Sequence, residues 1–199
     1  MIKINFIEDE VYMKTLIING SPRKNGDTMA LINEMRKYLK GEVEVIDAYY
    51  ANISPCIDCR YCWNNDGCTI NDEMQGVYKL LNEVDNVILA SPIYFSQLTG
   101  KVLSFASRLQ CFFVARCIKK DINFQLKKKM GALIITGGGD GNPELGIRGA
   151  NIIFKQMNTE SIGTVQSLHT NNIAAKEDKQ ALKNVRELAL RLNELKTKE

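Results

Sequence analysis

Short apolar runs rich in Val, Ile and Leu alternate along the chain with stretches of helical period, a pattern that predicts βαβ units on a parallel sheet. Residues 15–19 are apolar almost throughout and read as a strand buried on both faces, hence central. A helix with Ile32, Met35 and Leu39 on one face follows, then a second strand at 43–47. Beyond a cysteine-rich stretch, Asn71 or Asp72 stands where it can cap a helix carrying Met74, Val77, Leu81 and Val84. Residues 86–90 predict a third strand, Leu98, Val102, Phe105, Leu109 and Phe112 mark a further helix, and 131–136 read as a fourth strand. Pro143 suits the first turn of a helix running to about residue 158, and a last strand lies near 161–168. Ala181, Leu182, Val185, Leu188, Ala189 and Leu192 stripe a closing helix. Residues 116–130 are polar and irregular and read as a long connection.

The expected architecture is therefore a three-layer α/β sandwich in which each of five strands is followed by a helix. Residues 13–199 read as a single domain with a cysteine-rich loop at 54–72. Residues 1–12 read as an N-terminal extension, either an edge strand through Ile2, Ile4 and Phe6 or a lead before Met13. They carry Glu8, Asp9 and Glu10 and have no apolar secretory core, so the cytoplasm is the expected compartment. No run is apolar enough for a membrane span. The net charge of +3 forms no basic stripe, which argues against nucleic acid; Lys127, Lys128 and Lys129 read as a solvated turn.

Chemistry concentrates at the expected carboxyl ends of the strands, where open parallel sheets bind ligands. After the first strand, residues 20–28 bring a glycine turn, the hydroxyls of Ser21 and Thr28, and Arg23 to a helix N-terminus, an assembly suited to a phosphate. It is neither a GKS/GKT phosphate loop nor the GxGxxG dinucleotide fingerprint. The third strand runs into Ser91, Pro92, Ile93, Tyr94 and Phe95, and the fourth into Thr136, Gly137, Gly138, Gly139 and Asp140. Aromatic faces and open backbone at successive strand ends suit a planar ring system.

Cys56, Cys59, Cys62 and Cys68 fall within thirteen residues. Three thiols at i, i+3 and i+6 with a fourth soon after can wrap one compact inorganic core, as ferredoxin-type runs do for [4Fe–4S]. Zinc more often takes two separated CxxC pairs, and free thiols also pack as small apolar groups. Cluster, zinc, disulfides and unliganded thiols all stay open from spacing alone. Cys111, Cys117 and the sole histidine, His169, read as packing or strand-end residues.

With the motifs GSPR followed by Thr28, SPIYF and the compact CxxCxxCx5C insertion, the chain resembles the flavodoxin-like NAD(P)H-dependent FMN reductases, in particular their iron–sulfur flavoprotein branch. The resemblance implies a flavodoxin-like parallel sheet of order 2-1-3-4-5, FMN at the sheet edge, and a homodimer or homotetramer that completes the flavin pocket. Carried over by position, it assigns Ser21, Arg23, Asn25 and Thr28 to the FMN phosphate. Pro92, Ile93, Tyr94 and Phe95 fall to the ribityl chain and ring, Thr136, Gly137, Gly138 and Asp140 to the ring edge, and Cys56, Cys59, Cys62 and Cys68 to a [4Fe–4S] cluster. The implied activity is electron transfer from NAD(P)H through flavin to a small-molecule acceptor or a partner such as ferredoxin, with no catalytic side chain required. The alternative is a flavodoxin-type carrier that catalyses nothing; such carriers are strongly acidic, unlike this chain. One departure stands out: Asp27 occupies a position where the family commonly has Asn. Its carboxylate would repel a phosphate unless it caps the helix facing away.

Overall fold

The computed structural model describes residues 12–194; the expected edge strand through Ile2, Ile4 and Phe6 lies outside them. Five parallel strands form the sheet: β1 (Lys14–Asn19), β2 (Glu42–Asp47), β3 (Asn86–Tyr94), β5 (Lys129–Thr136) and β6 (Thr159–Ser167), in the order β2-β1-β3-β5-β6. With the two-residue β4 (Gln97–Leu98) set aside, this is the expected 2-1-3-4-5 order.

The three layers follow from side-chain alternation along the central strands. Leu16, Ile18, Val87, Leu89, Leu133 and Ile135 face one way, onto α3 (Met74–Glu83), α4 (Gly100–Ser107) and α6 (Glu144–Gln156), through Met74, Val77, Leu81, Val102, Phe105, Ile153 and Phe154. Ile17, Ile88, Ala90, Ala132 and Ile134 face the other way, onto α1 (Asp27–Arg36) and α7 (Lys179–Glu194), through Leu31, Ile32, Val185, Leu188 and Leu192. Each fully buried Leu or Ile contributes about 1.5–3 kcal/mol, so the two apolar layers supply most of the cohesion.

Several local features depart from the sequence pattern. The third strand does not end at residue 90 but continues through Tyr94 and turns back into β4, with Ile93 paired to Leu98 and Tyr94 to Gln97. The turn residues Phe95 and Ser96 both have positive φ, 52° and 63°, as a two-residue hairpin turn of matching twist requires. The expected helix through Phe112 is divided: α4 stops at Ser107, and α5 (Gln110–Phe113) runs into a π-helical turn, Val114–Ile118. The break falls where the Arg108 carbonyl accepts the Tyr78 hydroxyl (2.8 Å) and the Cys111 thiol (3.4 Å). Lys129 is not part of a solvated turn. It opens β5 with its side chain buried, and burial, then the neighbouring Lys127, push its ammonium pKa down to about 8.

Among the described residues no helix is long and apolar enough to cross a membrane.

Candidate functional site

The order β2-β1-β3 reverses chain direction across the sheet at β1, so the loops leaving β1 and β3 flank the switch point where parallel sheets open a crevice. The loop after β1 is rigidly built. Asn19 Nδ2 donates to Asp47 Oδ1 (2.6 Å), Asn19 Oδ1 accepts the Ser21 N–H (3.0 Å), and the Ser21 hydroxyl accepts the Arg23 N–H (3.2 Å). Gly20 is enclosed: a Cβ there would stand 2.2 Å from Val102 Cγ2 and 2.9 Å from Thr99 Oγ1. Its N–H donates to the Ala90 carbonyl (2.7 Å) and its carbonyl accepts the Thr99 hydroxyl (2.8 Å). The Thr99 N–H in turn donates to Ser91 Oγ (3.1 Å). Thr28 Oγ1 and Thr136 Oγ1 lie 2.7 Å apart and both are buried, which joins the loops of β1 and β5. Three strand-end loops thus form one connected frame.

α1 begins in this frame at Gly26, which offers no side-chain cap. The first-turn N–H groups of Asp27, Thr28 and Met29 have no protein acceptor among the described residues, leaving the positive end of the helix open to an anion. Arg23 and Asn25 are exposed beside it. Asp27 does not cap the helix. Its Oδ1 accepts the Ala175 N–H (3.0 Å) and its Oδ2 accepts from Arg23 Nη2 (3.2 Å), so the carboxylate ties the loop to the segment before α7 and engages the cation expected to meet the phosphate.

The ring-side residues divide by role. Tyr94 is half-exposed and Phe95 fully exposed, with Phe95 held in a left-handed conformation uncommon for a bulky residue. Ile93 instead packs inward, its Cδ1 only 2.8 Å from where a Gly146 Cβ would stand. Pro92 lies in the strand opposite Thr136. The Gly137 N–H is already donated to the Ser167 carbonyl (3.0 Å), and the carbonyls of Gly137, Gly138 and Gly139 are capped by the N–H groups of residues 170, 171 and 169. The Gly138 and Gly139 N–H groups, beside exposed Asp140, are the ones left to face a ligand. His169 starts that capping turn with φ 60° and is a strand-end residue, as its position implied.

The loop after β2 adds two residues that pattern reading overlooked. The Tyr50 hydroxyl donates to the Pro22 carbonyl (2.6 Å), with Lys24 Nζ 4.7 Å over its ring, and so braces the β1 loop. Tyr49 lies beside Tyr94 and Thr99, and its hydroxyl pKa is raised by burial first and by Tyr94 second. A Tyr-Tyr pair at the end of a second strand is a usable signal, since that end shares the ligand side of the sheet.

Cys56, Cys59, Cys62 and Cys68 line one pocket, joined by Ile57, Trp63, Ile70, Arg108 and a fifth thiol, Cys111, with Cys62 and Trp63 on the one-turn helix α2 (Tyr61–Asn64). Burial, followed among the raising influences by the adjacent Cys56, Cys68 and Cys59, pushes the Cys62 thiol up; burial alone dominates at Cys111, pushed up to about 11. Among the described residues no three His, Cys, Asp or Glu side chains converge as ligands of a single metal ion. Four thiols around one pocket are the donor set a [4Fe–4S] cluster takes, and also one that zinc takes.

Both roots of the loop are anchored by side chains that spacing gave no reason to link. Arg108 Nη1 donates to Asp72 Oδ2 (2.6 Å) and to the Ser54 carbonyl (3.0 Å), and Nη2 donates to the Ile70 carbonyl (3.2 Å). Asp72 also accepts the Ser54 N–H (2.9 Å) and the Met74 N–H (3.1 Å); it stands one residue before Glu73, which takes the N-cap position of α3 expected of Asn71 or Asp72. Gln75 Nε2 donates to the carbonyls of Cys68 and Ile70 (both 2.8 Å), and the Cys56 N–H donates to Ser107 Oγ (2.9 Å).

The family described as NADPH-dependent FMN reductase matches residues 13–167 of this chain. An iron-sulfur flavoprotein of Methanocaldococcus jannaschii is 31% identical over 128 residues, covering 63% of this chain and 62% of its own length. A second iron-sulfur flavoprotein of that organism is 31% identical over 147 residues and 71% of each chain. This chain thus spans a little under two thirds of the first of these relatives. Among solved structures, an FMN-dependent NADH-azoreductase from Bacillus anthracis in complex with FMN is similar in fold, with a TM-score of 0.58 at 15% identity, covering 91% of this chain and 99% of that one.

Proposed function

Because the chain belongs to the NADPH-dependent FMN reductase family, in its iron–sulfur flavoprotein branch, we propose that it binds FMN across the ends of β1, β3 and β5, holds a [4Fe–4S] cluster in the cysteine pocket, and passes electrons from NAD(P)H to a small acceptor or a protein such as ferredoxin. The observation that carries the reading is the joined frame of three strand-end loops around the uncapped start of α1. FMN, when bound, supplies the hydride and single-electron chemistry that no side chain here provides, and the cluster supplies single-electron transfer.

The chain's own residues bind and orient. The first-turn N–H groups of α1, with Ser21, Arg23, Asn25 and the one hydroxyl proton left over by the Thr28–Thr136 pair, receive the phosphate. Pro92, Tyr94 and Phe95 present the surface for ribityl chain and ring, and Tyr94 and Phe95 exclude water from it. The Gly138 and Gly139 N–H groups stabilise negative charge at the ring edge. An exposed Phe95 on a strained turn is the surface a second subunit of a homo-oligomer would cover.

Asp27→Asn tests the phosphate assignment. The amide oxygen keeps the Ala175 bond while Arg23 is released toward the phosphate, so FMN affinity is expected to rise roughly two- to five-fold, the range of an exposed ion pair, with a steeper salt dependence. Unchanged affinity in fluorescence titrations would move the phosphate away from α1.

A second reading keeps FMN without a cluster, because Arg108, Asp72, Gln75 and Ser107 already brace the cysteine loop through protein contacts. Anaerobic purification and reconstitution with iron and sulfide separate the two. The cluster reading expects a flavin spectrum with added broad absorbance that Cys59→Ala removes while FMN is retained. A flavin spectrum alone, unaltered by that substitution, leaves the second reading. Steady NAD(P)H oxidation with a small acceptor excludes a passive carrier.

A further inference from the structure

Arg108 carries a buried donor with nothing to bind. Its side chain is fully shielded from solvent, and while Nη1 and Nη2 hold Asp72, Ser54 and Ile70, the Nε–H has no partner among the described residues. Buried donors are paired in all but a few cases, so an orphan in an otherwise saturated network points to an acceptor that the chain itself does not provide. Arg108 lines the cysteine pocket, and Asp72 does not. The positive end of this ion pair is thereby presented to the thiols and the negative end withdrawn behind it. Apart from Asp58, which is exposed and lies 3.7 Å from Arg60, the pocket lining offers no carboxylate; its other side-chain acceptors are the thiols, the Tyr61 and Thr69 hydroxyls and the Gln110 amide, none of which meets the Nε–H, so the sulfur of a group held by the thiols is the acceptor that would be new to the pocket.

We propose that the Arg108 Nε–H donates a hydrogen bond to a sulfur of the [4Fe–4S] group held by Cys56, Cys59, Cys62 and Cys68, and that Arg108 thereby sets the reduction potential of that group as well as its loop. The inference rests on the cluster reading above. Hydrogen bonds and nearby positive charge stabilise the more negative, reduced state of a cluster and raise its potential. A lysine would keep the charge but lose both the planar fork and the Nε donor.

The test is spectroelectrochemical titration of the reconstituted holoprotein with Arg108→Lys and Asp72→Asn. Arg108→Lys is expected to shift the cluster midpoint to more negative values. Asp72→Asn keeps the Nε–H and leaves the guanidinium charge uncompensated, so it is expected to shift the midpoint the opposite way, with the flavin midpoint unmoved in both. A purely structural Arg108 would alter cluster content or melting temperature in both variants but not produce opposite shifts; equal potentials, or shifts of one sign, overturn the proposal. Should Arg108→Lys retain no iron, Asp72→Asn decides alone: a positive shift supports the proposal and an unchanged potential overturns it. Wild-type protein that takes up no iron overturns the cluster reading and this inference with it, a failure distinguishable from a loaded cluster indifferent to both substitutions.

Discussion

Arg108→Met is expected to lower the free energy of unfolding by about 3–5 kcal/mol, because removing one partner of a buried ion pair strands the other. Asp72, with a side chain only 5% exposed, would keep its carboxylate in an apolar setting, and the carbonyls of Ser54 and Ile70 would lose their donor. At roughly 2–4 °C per kcal/mol for a chain of this length, the melting temperature should fall by about 6–20 °C, measurable by thermal denaturation. Contrast Lys119, whose 2.6 Å pair with Asp66 is equally short but whose partner is 91% exposed. Lys119→Ala should change stability by no more than about 1 kcal/mol, since water already solvates both charges.

The same pair predicts an acid dependence. Burial pushes the Asp72 carboxyl up, but the hydrogen bonds from Arg108, Ser54 and Met74 outweigh it and hold the net pKa below the usual value. A depressed carboxylate pKa contributes stability that is complete above the unfolded value of about 3.9 and lost as pH falls through the folded value. Wild-type stability should therefore drop below about pH 4 more steeply than that of Asp72→Asn, whose weaker network has no such proton to take up. Parallel acid profiles for the two proteins would refute the linkage.

Gly20→Ala is expected to have the larger effect on the proposed flavin site. The added methyl meets Val102 at 2.2 Å and Thr99 at 2.9 Å, and neither can retreat, since Val102 is buried in the core and Thr99 is bonded to both Gly20 and Ser91. Overpacking of this kind typically costs about 1–3 kcal/mol. Relief must come by separating the β1 and β3 loops, which is the geometry proposed for FMN, so flavin binding should be lost while the fold persists. Circular dichroism with flavin titration checks both parts, and retained tight binding would show that the loops act independently. The comparison glycine is Gly76, with open space around it on α3; Gly76→Ala should leave binding intact and the helix slightly firmer.

How far the fold could be read ahead depended on whether its cause was local. Strands β1, β3 and β5 announce themselves because burial on both faces demands continuous apolar residues, and α3 and α7 because one-sided burial demands a 3.6-residue stripe. Lys129 departs from its sequence pattern because a basic run ordinarily means solvent, and only the packing around the start of β5 buries it. The division of the helix near Arg108 was equally hidden: the apolar period runs unbroken to Phe112, and the interruption comes from Tyr78, thirty residues earlier in the chain.

The candidate site divides along the same line. Sequence alone determined which groups are present: a glycine turn with hydroxyls and Arg23 before a helix, aromatic and glycine-rich strand ends, and four thiols within thirteen residues, all set by residues near one another in the chain. Tertiary structure decided how those groups are used. It paired Thr28 with Thr136, turned Asp27 toward Ala175 and Arg23, packed Ile93 inward, engaged the Gly137 N–H, and set Arg108 against Asp72 beneath the cysteines. Each of these contacts depends on competition among donors and acceptors that meet only after the sheet has formed, and residue spacing carries no record of which partner wins.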